Sequence, residues 1–318
     1  MKWIKHGKIF DPKEHMLANG CVEFAQSPQA LVFDDFVRVY FSTRAVDVNG
    51  KFLSHVSFVD FAKDFRKIIQ VATDTVIPLG ALGSFDEHGI FPFSVMRDGD
   101  RVCAYTTGWS RRVAVSVETG IGWVESKDQG RTFQRIGDGP VLSSSPKEPC
   151  LVGDGFVKRI NGVYYMWYIF GTGWKQGDAA SPPDRTYKIG YATSADGIEW
   201  SKREGVNIIP DVLGQDECQA LPTVVQIGQR FHMFFCYRET FDFRKTKGRG
   251  YRIGHAYSDD LAHWTRDDQH PLLEGDAGEW DSDMQCYPNV FECDGKVYLL
   301  YNGNQFGRQG FGLAELAI

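Results

Sequence analysis

Five apolar segments recur along the chain at nearly equal steps, and a repeat of this length admits few folds. The segments begin at Pro28 (PQALVF), Pro92 (PFSVMR), Gly155 (GFVKRI), Pro222 (PTVVQI) and Pro288 (PNVFEC), with steps of 64, 63, 67 and 66 residues. A short way after each anchor comes a strand-like run: VRVYF, VCAYT, YYMWY, FHMFF and VYLLY. A third register comes next, as IGWVES from Ile121, IGYATS from Ile189, IGHAYS from Ile253 and a degenerate SHVSFV from Ser54. Each of these leads into a turn and an aromatic, at Phe65, Phe133, Trp200 and Trp264. Short β-branched and aromatic runs between Gly, Asp and Asn turns are strands. Four-stranded units repeated around a channel make a β-propeller. The chain is therefore expected to be all-β, a five-bladed propeller.

The last unit ends at FGLAELAI, one strand short, while the N-terminal MKWIKHGKIF resembles the segment after Trp264 (WTRDDQHPLL). The N-terminal strand is expected to close blade five, leaving no open sheet edge. A propeller shares one continuous core, so residues 1–318 read as a single domain. No apolar run is long enough to span a membrane, and the N-terminus lacks the apolar core of a signal peptide. The seven cysteines show no Cys-x-x-Cys spacing and read as small buried hydrophobes in a reducing compartment. Cytoplasmic localisation is the expectation. A net charge of −6 with no basic helix argues against nucleic acid as a partner.

The repeat also places loops. If each anchor strand is innermost and runs down the channel, residues just before it and residues after the second strand open on one face. The first set is acidic: Glu23, Glu87, Cys150, Glu217 and Asp283 stand five residues before the anchors. Asp86, Glu148, Asp216 and Asp281 are their neighbours, and Asp154 directly precedes its anchor. A ring of carboxylates needs cations, hydrogen bonds or protonation to relieve its repulsion. Each could equally cap a turn or bind backbone amides between blades. The second set is Arg44, Trp109, Gly171, Arg238 and Asn304, with Trp174 close by. Arginine forks, flat indole faces and amides together suit sugars; the tryptophans could instead pack between blades. The basic segment 241–252 (FDFRKTKGRGYR) falls on the same face, either as a solvated loop or as a receiver of phosphate or an acidic sugar.

Other chemistries lack their motifs: there is no phosphate loop, dinucleotide fingerprint or Gly-x-Ser-x-Gly elbow, and the eight histidines show no zinc spacing. Paired carboxylates in an aromatic-lined funnel remain, the equipment of glycosyl transfer.

Further segments carry family resemblances. SKDQGRTF from Ser126 resembles the Asp-box turn of sialidase propellers, with SADGIEW and SDDLAHW as looser copies. GDGFVKRINGVYYMWY (153–168) and WDSDMQCYPNVFECDGKVYLLYNGN (280–304) resemble five-bladed propeller glycosidases: the arabinanase/xylosidase group, the invertase/levansucrase group and the mannoside phosphorylases. FDEHGIFP (85–92), KEP (147–149), the WDS…CYP stretch and YNGN…GFG look like hallmarks of glycosidase-like propellers from bacterial surface-polysaccharide gene clusters. The resemblance implies action on glycosidic bonds. It also brings a departure: arabinanase-type enzymes place a base directly before the first anchor and an acid two residues before the third. Those positions here are Ser27 and Gly153. No Asn-Asp-Pro motif is present either.

Together these features read as a glycoside hydrolase on a saccharide or glycoconjugate, with Glu217 as general acid and Asp86 or Glu87 as base or nucleophile. Glu148 and Asp283 stand in reserve. Glu23, Arg44, Trp109, Asp154, Trp174, Arg238 and Asn304 would hold the sugar. No cofactor is called for, although related propellers with an axial ion make the acidic ring a candidate cation site. Two alternatives stay open: a phosphorylase or glycosyltransferase using phosphate or a sugar-phosphate donor, which needs only one protein acid, and a non-catalytic glycan-binding propeller.

Overall fold

The computed structural model describes residues 1–177, 181–268 and 272–317. Part of the segment 264–273, whose sequence resembles the N-terminus, lies outside the described residues. The chain opens with β1 (Trp3–Phe10) and then builds four sheets in sequence order. Blade one is β2 (Glu23–Val32), β3 (Phe36–Val46), β4 (Phe52–Ala62) and β5 (Ile68–Val71). Blade two is β6 (Ile90–Asp98), β7 (Arg101–Arg111), β8 (Val117–Ser126) and β9 (Gln134–Arg135). Blade three is β10 (Cys150–Ile160), β11 (Val163–Lys175), β12 (Asp184–Ser194) and β13 (Ser201–Lys202). Blade four is β14 (Glu217–Ile227), β15 (Arg230–Glu239), β16 (Arg252–Ser258) and β17 (Thr265–Arg266). Blade five combines β18 (Cys286–Cys293), β19 (Lys296–Asn302) and β20 (Phe311–Leu316) with β1, which pairs antiparallel to β20 from Trp3–Leu316 to Phe10–Phe311. The five-bladed propeller and its N-terminal closure are therefore as the repeat predicts.

Neighbouring inner strands β2, β6, β10, β14 and β18 touch in a closed ring around the axis. The core lies between blades, as one apolar cluster per interface. Phe10, Phe61, Tyr298 and Phe311 join blades five and one; Tyr40, Phe58, Phe93 and Phe133 join one and two. Tyr105, Trp123, Met166 and Tyr168 join two and three; Trp167, Ile189, Phe235 and Trp264 join three and four. Trp3, Phe234, Ile253 and Leu299 join four and five. All seven cysteines are free and buried in these layers. No helix among the described residues is long and apolar enough to cross a membrane.

The Asp-box turns sit between third and fourth strands. Ser126 Oγ donates to Asp128 and accepts from the Gly130 amide; Ser194 with Asp196 and Ser258 with Asp260 repeat the arrangement. Trp200 and Trp264 donate their indole N–H to the Gly197 and Leu261 carbonyls of those turns. The motif is structural in this chain.

Every inner strand carries a bulge just before its anchor: the pairing register slips between Gln26 and Gln29, Ile90 and Phe93, Gly153 and Phe156, Ala220 and Thr223, and Cys286 and Asn289. The residue ahead of the anchor is left-handed in four blades, at Ser27 (φ 52°), Asp154 (φ 51°), Leu221 (φ 48°) and Tyr287 (φ 57°). In the second blade the Phe91–Pro92 peptide is cis instead. A bulge re-aims the side chain it carries, and three of these five residues, Phe91, Asp154 and Tyr287, face the axial cavity.

Candidate active site

The cavity occupies about 500 Å³ at the mouth of the axial channel, large enough for a small saccharide. Its lining differs from the sequence expectation. Arg44, Trp109, Asp154 and Arg238 are on its wall as predicted, but Asp154 is the single carboxylate there among the described residues. Five arginines, Arg44, Arg185, Arg238, Arg244 and Arg308, share the wall with it.

The expected catalytic carboxylates are elsewhere, and each is occupied. Glu217 is fully buried behind the wall: Oε2 accepts from the Val212 and Leu213 amides at 2.8 Å each, and Oε1 meets Arg266 of β17 at 2.6 Å. Glu148 is equally buried, accepting from Tyr168 Oη at 2.7 Å and from Lys202 of β13 at 2.7 Å. Asp86 meets Arg135 of β9 at 2.6 Å and accepts from Ser84 Oγ. Asp281 meets Lys5 of β1 at 2.7 Å and accepts from Tyr301 Oη. In blades two to five, then, a buried carboxylate leading into the blade pairs with a lysine or arginine on that blade's outermost strand. These are fasteners. A carboxylate saturated by amides and a cation is not placed to protonate a glycosidic oxygen in the cavity, so the structure supplies no reacting pair from Glu217, Asp86 and Glu148.

Glu87 accepts from the Gly83 amide at 2.7 Å and lies 3.2 Å from His88. Asp283 is exposed at the rim, 3.6 Å from Lys247. Glu23 braces Arg308 at 2.9 Å, one step behind the wall. Trp174 lies outside the lining but carries Arg185 over its ring at 5.5 Å. Asn304 holds the turn next to the cavity, accepting from the Asp283 and Met284 amides, and so positions its neighbours Gln305 and Phe306, which do line it. As for the axial ion, no three His, Cys, Asp or Glu side chains converge among the described residues.

Asp154 sits in the bulge of β10. Its amide donates to Thr107 Oγ1 at 2.7 Å, and its Oδ2 accepts from the Leu221 amide at 3.2 Å. Burial pushes its carboxyl up to about 7, against the opposing effects of that amide and of the Arg185 charge. One residue earlier, Gly153 is fixed by contact: a Cβ there would lie 2.7 Å from Thr107 Cγ2. The third-blade acid of arabinanase-type enzymes has no room at this position.

The arginines fall into two groups. Arg238 is almost wholly buried; it donates to the Glu239 and Thr240 carbonyls and to Tyr187 Oη, with the Phe243 ring centroid 3.5 Å from its guanidinium. Tyr187 in turn hydrogen-bonds Tyr251. Arg185 donates to Ser116 Oγ, and Arg308 is paired with Glu23. Among the described residues, Arg44 and Arg244 have ring contacts and no hydrogen-bond or ion-pair partner. Arg44 lies 4.7 Å from Phe24 and 5.2 Å from Phe52; Arg244 lies 4.2 Å from Phe243 and 5.5 Å from Phe306. Burial, and then the Arg244 charge, hold Arg44 below its usual value. Arg244 is open to water at the rim but has protein around its guanidinium; that enclosure, then Arg185 and Arg238, lower it too.

Sequence reasoning misses Arg185, Arg244 and Arg308 as site residues. Arg244 belongs to the basic segment and Arg308 to YNGN…GFG, strings that stand out without giving either arginine a role. The signal that could have found more of the wall is the start of the third strand. Phe52, Thr119, Tyr187 and Tyr251 all stand two residues before the third-register motif, and all four line the cavity. Alternation along a strand puts Val117 and Arg185, two residues earlier still, on the same face.

No established family model matches the chain. Two Mycobacterium tuberculosis proteins, uncharacterized protein MT1551 (strain CDC 1551 / Oshkosh) and uncharacterized protein Rv1502 (strain ATCC 25618 / H37Rv), are each 34% identical to it over 324 residues, covering 99% of either chain. A 1,2-beta-oligomannan phosphorylase of Thermoanaerobacter sp. (strain X514) is 31% identical over 163 residues, 51% of this chain and 45% of that protein. Among solved structures, a glycoside hydrolase superposes with a TM-score of 0.73 at 15% identity, over 99% of this chain and 91% of that one. A thermostable family-43 glycoside hydrolase does so with a TM-score of 0.64 at 13% identity, over 95% and 92%. At such identities the likeness is one of fold, that of the glycosidase-like propellers.

Proposed function

This chain belongs to the family of the mycobacterial proteins MT1551 and Rv1502, and we propose that it is a carbohydrate-active enzyme that cleaves or forms glycosidic bonds with phosphate as partner. The observation that carries this reading is one raised-pKa carboxyl, Asp154, in a funnel that otherwise presents arginines. Hydrolysis by direct or double displacement uses two carboxyl groups. Phosphorolysis uses one, because phosphate itself is the nucleophile.

In that reaction Asp154 donates its proton to the glycosidic oxygen as the bond from that oxygen to the anomeric carbon breaks. A phosphate oxygen forms the new bond to the anomeric carbon from the opposite face. The products are a glycosyl phosphate and a sugar with a free hydroxyl; the proton that the attacking hydrogen phosphate gives up returns, through water, to the Asp154 carboxylate. Run backwards, the same steps build a glycoside from a glycosyl phosphate. Guanidinium forks suit phosphate oxygens, and Phe91, Trp109 and Tyr287 offer ring faces for the sugar. The partial likeness to a 1,2-beta-oligomannan phosphorylase supports the same direction.

The test is turnover of purified chain on a panel of glycosyl 1-phosphates with sugar acceptors, read as phosphate release, beside aryl glycosides with and without phosphate. Phosphate-dependent turnover is expected. Aryl glycoside cleavage at the same rate without phosphate would sink the proposal. A second reading, glycan binding without bond cleavage, draws on Ser27 and Gly153 standing where arabinanase-type enzymes carry their base and acid; saccharide binding with no turnover on either panel selects it.

A further inference from the structure

We propose that the funnel holds two anions at once, and that the saccharide is itself anionic, its own phosphate or carboxylate being received by Arg44 and Arg244. The inference rests on the phosphate reading above only for the identity of the other anion. The grounds are charge and satisfaction. Arg308 already has Glu23 as counterion. Arg238 is fixed by two carbonyls and a tyrosine hydroxyl, and Arg185 by a serine hydroxyl. Arg185 is near enough for its charge to act on Asp154, and a phosphate dianion beside the acid balances Arg185 and Arg238 together.

Arg44 and Arg244 remain. Neither has a carboxylate or carbonyl partner among the described residues, and Arg44 Nε is buried without any hydrogen-bond acceptor. Arg238 Nε, in a side chain about 1% exposed, is likewise unpartnered. A buried polar atom without a partner costs about 1–3 kcal/mol, and on residues of the cavity wall a ligand oxygen would satisfy these donors. The rings of Phe24 and Phe52, and of Phe243 and Phe306, flank the two guanidiniums without offering them an acceptor oxygen. Guanidinium N–H groups take oxyanions in bidentate fashion. The two charges also repel each other, as the lowering of Arg44 by Arg244 records. A sugar hydroxyl would accept an N–H but leave that repulsion in place; an anion removes it.

The test is calorimetric titration of the full chain with inorganic phosphate. Two phosphate ions per chain are expected for the wild type, and one for Arg44→Gln or Arg244→Gln. The rim variant Arg244→Gln keeps the test valid if the inner one fails to fold. Lys127→Gln, an exposed change at the blade periphery, should leave two. With both sites filled, methyl phosphate or glycolate should displace one ion while glycerol displaces none; which of the two does so identifies the sugar's group as phosphate or carboxylate. A single site in the wild type, two sites indifferent to both arginine variants, or displacement by neither anion would each overturn the inference. None of these readings needs turnover, so loss of the phosphorolysis proposal would leave this one standing or falling on its own.

Discussion

The blades' outer fasteners and the axial funnel use the same side chains to opposite ends. In the fasteners, Glu217–Arg266, Glu148–Lys202, Asp86–Arg135 and Asp281–Lys5 neutralise each other, and each recurs at the equivalent place in its blade. In the funnel, Asp154 has no cationic partner within salt-bridge distance, and Arg44 and Arg244 have no anionic one, among the described residues. The acid there does not repeat: a carboxylate directly precedes the anchor in one blade of five. The fasteners obey the repeat; the one acid on the cavity wall breaks it.

The most severe test of that contrast is Asp154→Asn. Asparagine keeps the shape, tolerates the left-handed backbone and can still accept from the Leu221 amide, so the fold should survive. Phosphate-dependent turnover should fall by about 10²–10⁴-fold, the usual worth of a general acid, with saccharide affinity little changed. The wild-type rate should also fall about tenfold per pH unit above 7, because the acid must be protonated and burial has set its pKa near there. Since this carboxyl is raised above its unfolded value, its contribution to stability is full below about pH 4 and is lost as pH rises towards 7. A pH–rate profile with no basic limb near 7 would remove Asp154 from the role.

The complementary change is Glu217→Gln. Here turnover of folded protein should persist, while unfolding free energy drops by about 3–5 kcal/mol, the cost of leaving a buried cation short of its partner. Urea denaturation checks it, with Asp268 as the residual partner of Arg266. Lost turnover at unchanged stability would invert the comparison.

Gly153→Ala probes the border between the two regions. The added methyl meets Thr107, whose hydroxyl also holds the Asp154 amide. Overpacking of this kind costs about 1–3 kcal/mol, and because the displaced group positions Asp154, the rate should fall along with stability. Stability lost with an unchanged rate would show that Thr107 does not position the acid.

The architecture is legible in the sequence because a propeller writes itself five times: anchors, second strands and third-register motifs survive the loss of any one copy. The carboxylates before the anchors are legible for the same reason, and that is why they mislead. Sequence spacing places Glu217 and Glu148 correctly on the segments leading into their blades. It cannot show that Arg266 and Lys202, 49 and 54 residues later, return to meet them across the blade. The inward turn of Asp154 depends on a bulge, and a bulge shifts the alternation by which inward positions are counted. Arg185 and Tyr187 lie upstream of the apolar motif that marks their strand, and only counting back from it in steps of two reaches them. Arg44 and Arg238, by contrast, are found, because the end of a second strand needs no bulge to be placed.

Asp283 offers the smallest effect and the cleanest separation of sequence position from burial. It stands at the same step before its anchor as Glu217 does, so a rule based on the repeat alone gives both the same importance. Its surroundings do not. The carboxylate is more than half exposed, and Lys247, its nearest cation, is 3.6 Å away and more exposed still. Water screens such a pair to between about 0 and 1 kcal/mol. The turn around it is held instead by its own backbone amide, which donates to Asn304 Oδ1 at 2.9 Å and is untouched by a change in the side chain. Asp283→Asn should therefore shift unfolding by no more than about 0.5 kcal/mol, the usual range for a surface substitution, and leave turnover unaltered. A loss comparable to that of Glu217→Gln would mean that position in the repeat, not enclosure by the protein, decides which carboxylates matter.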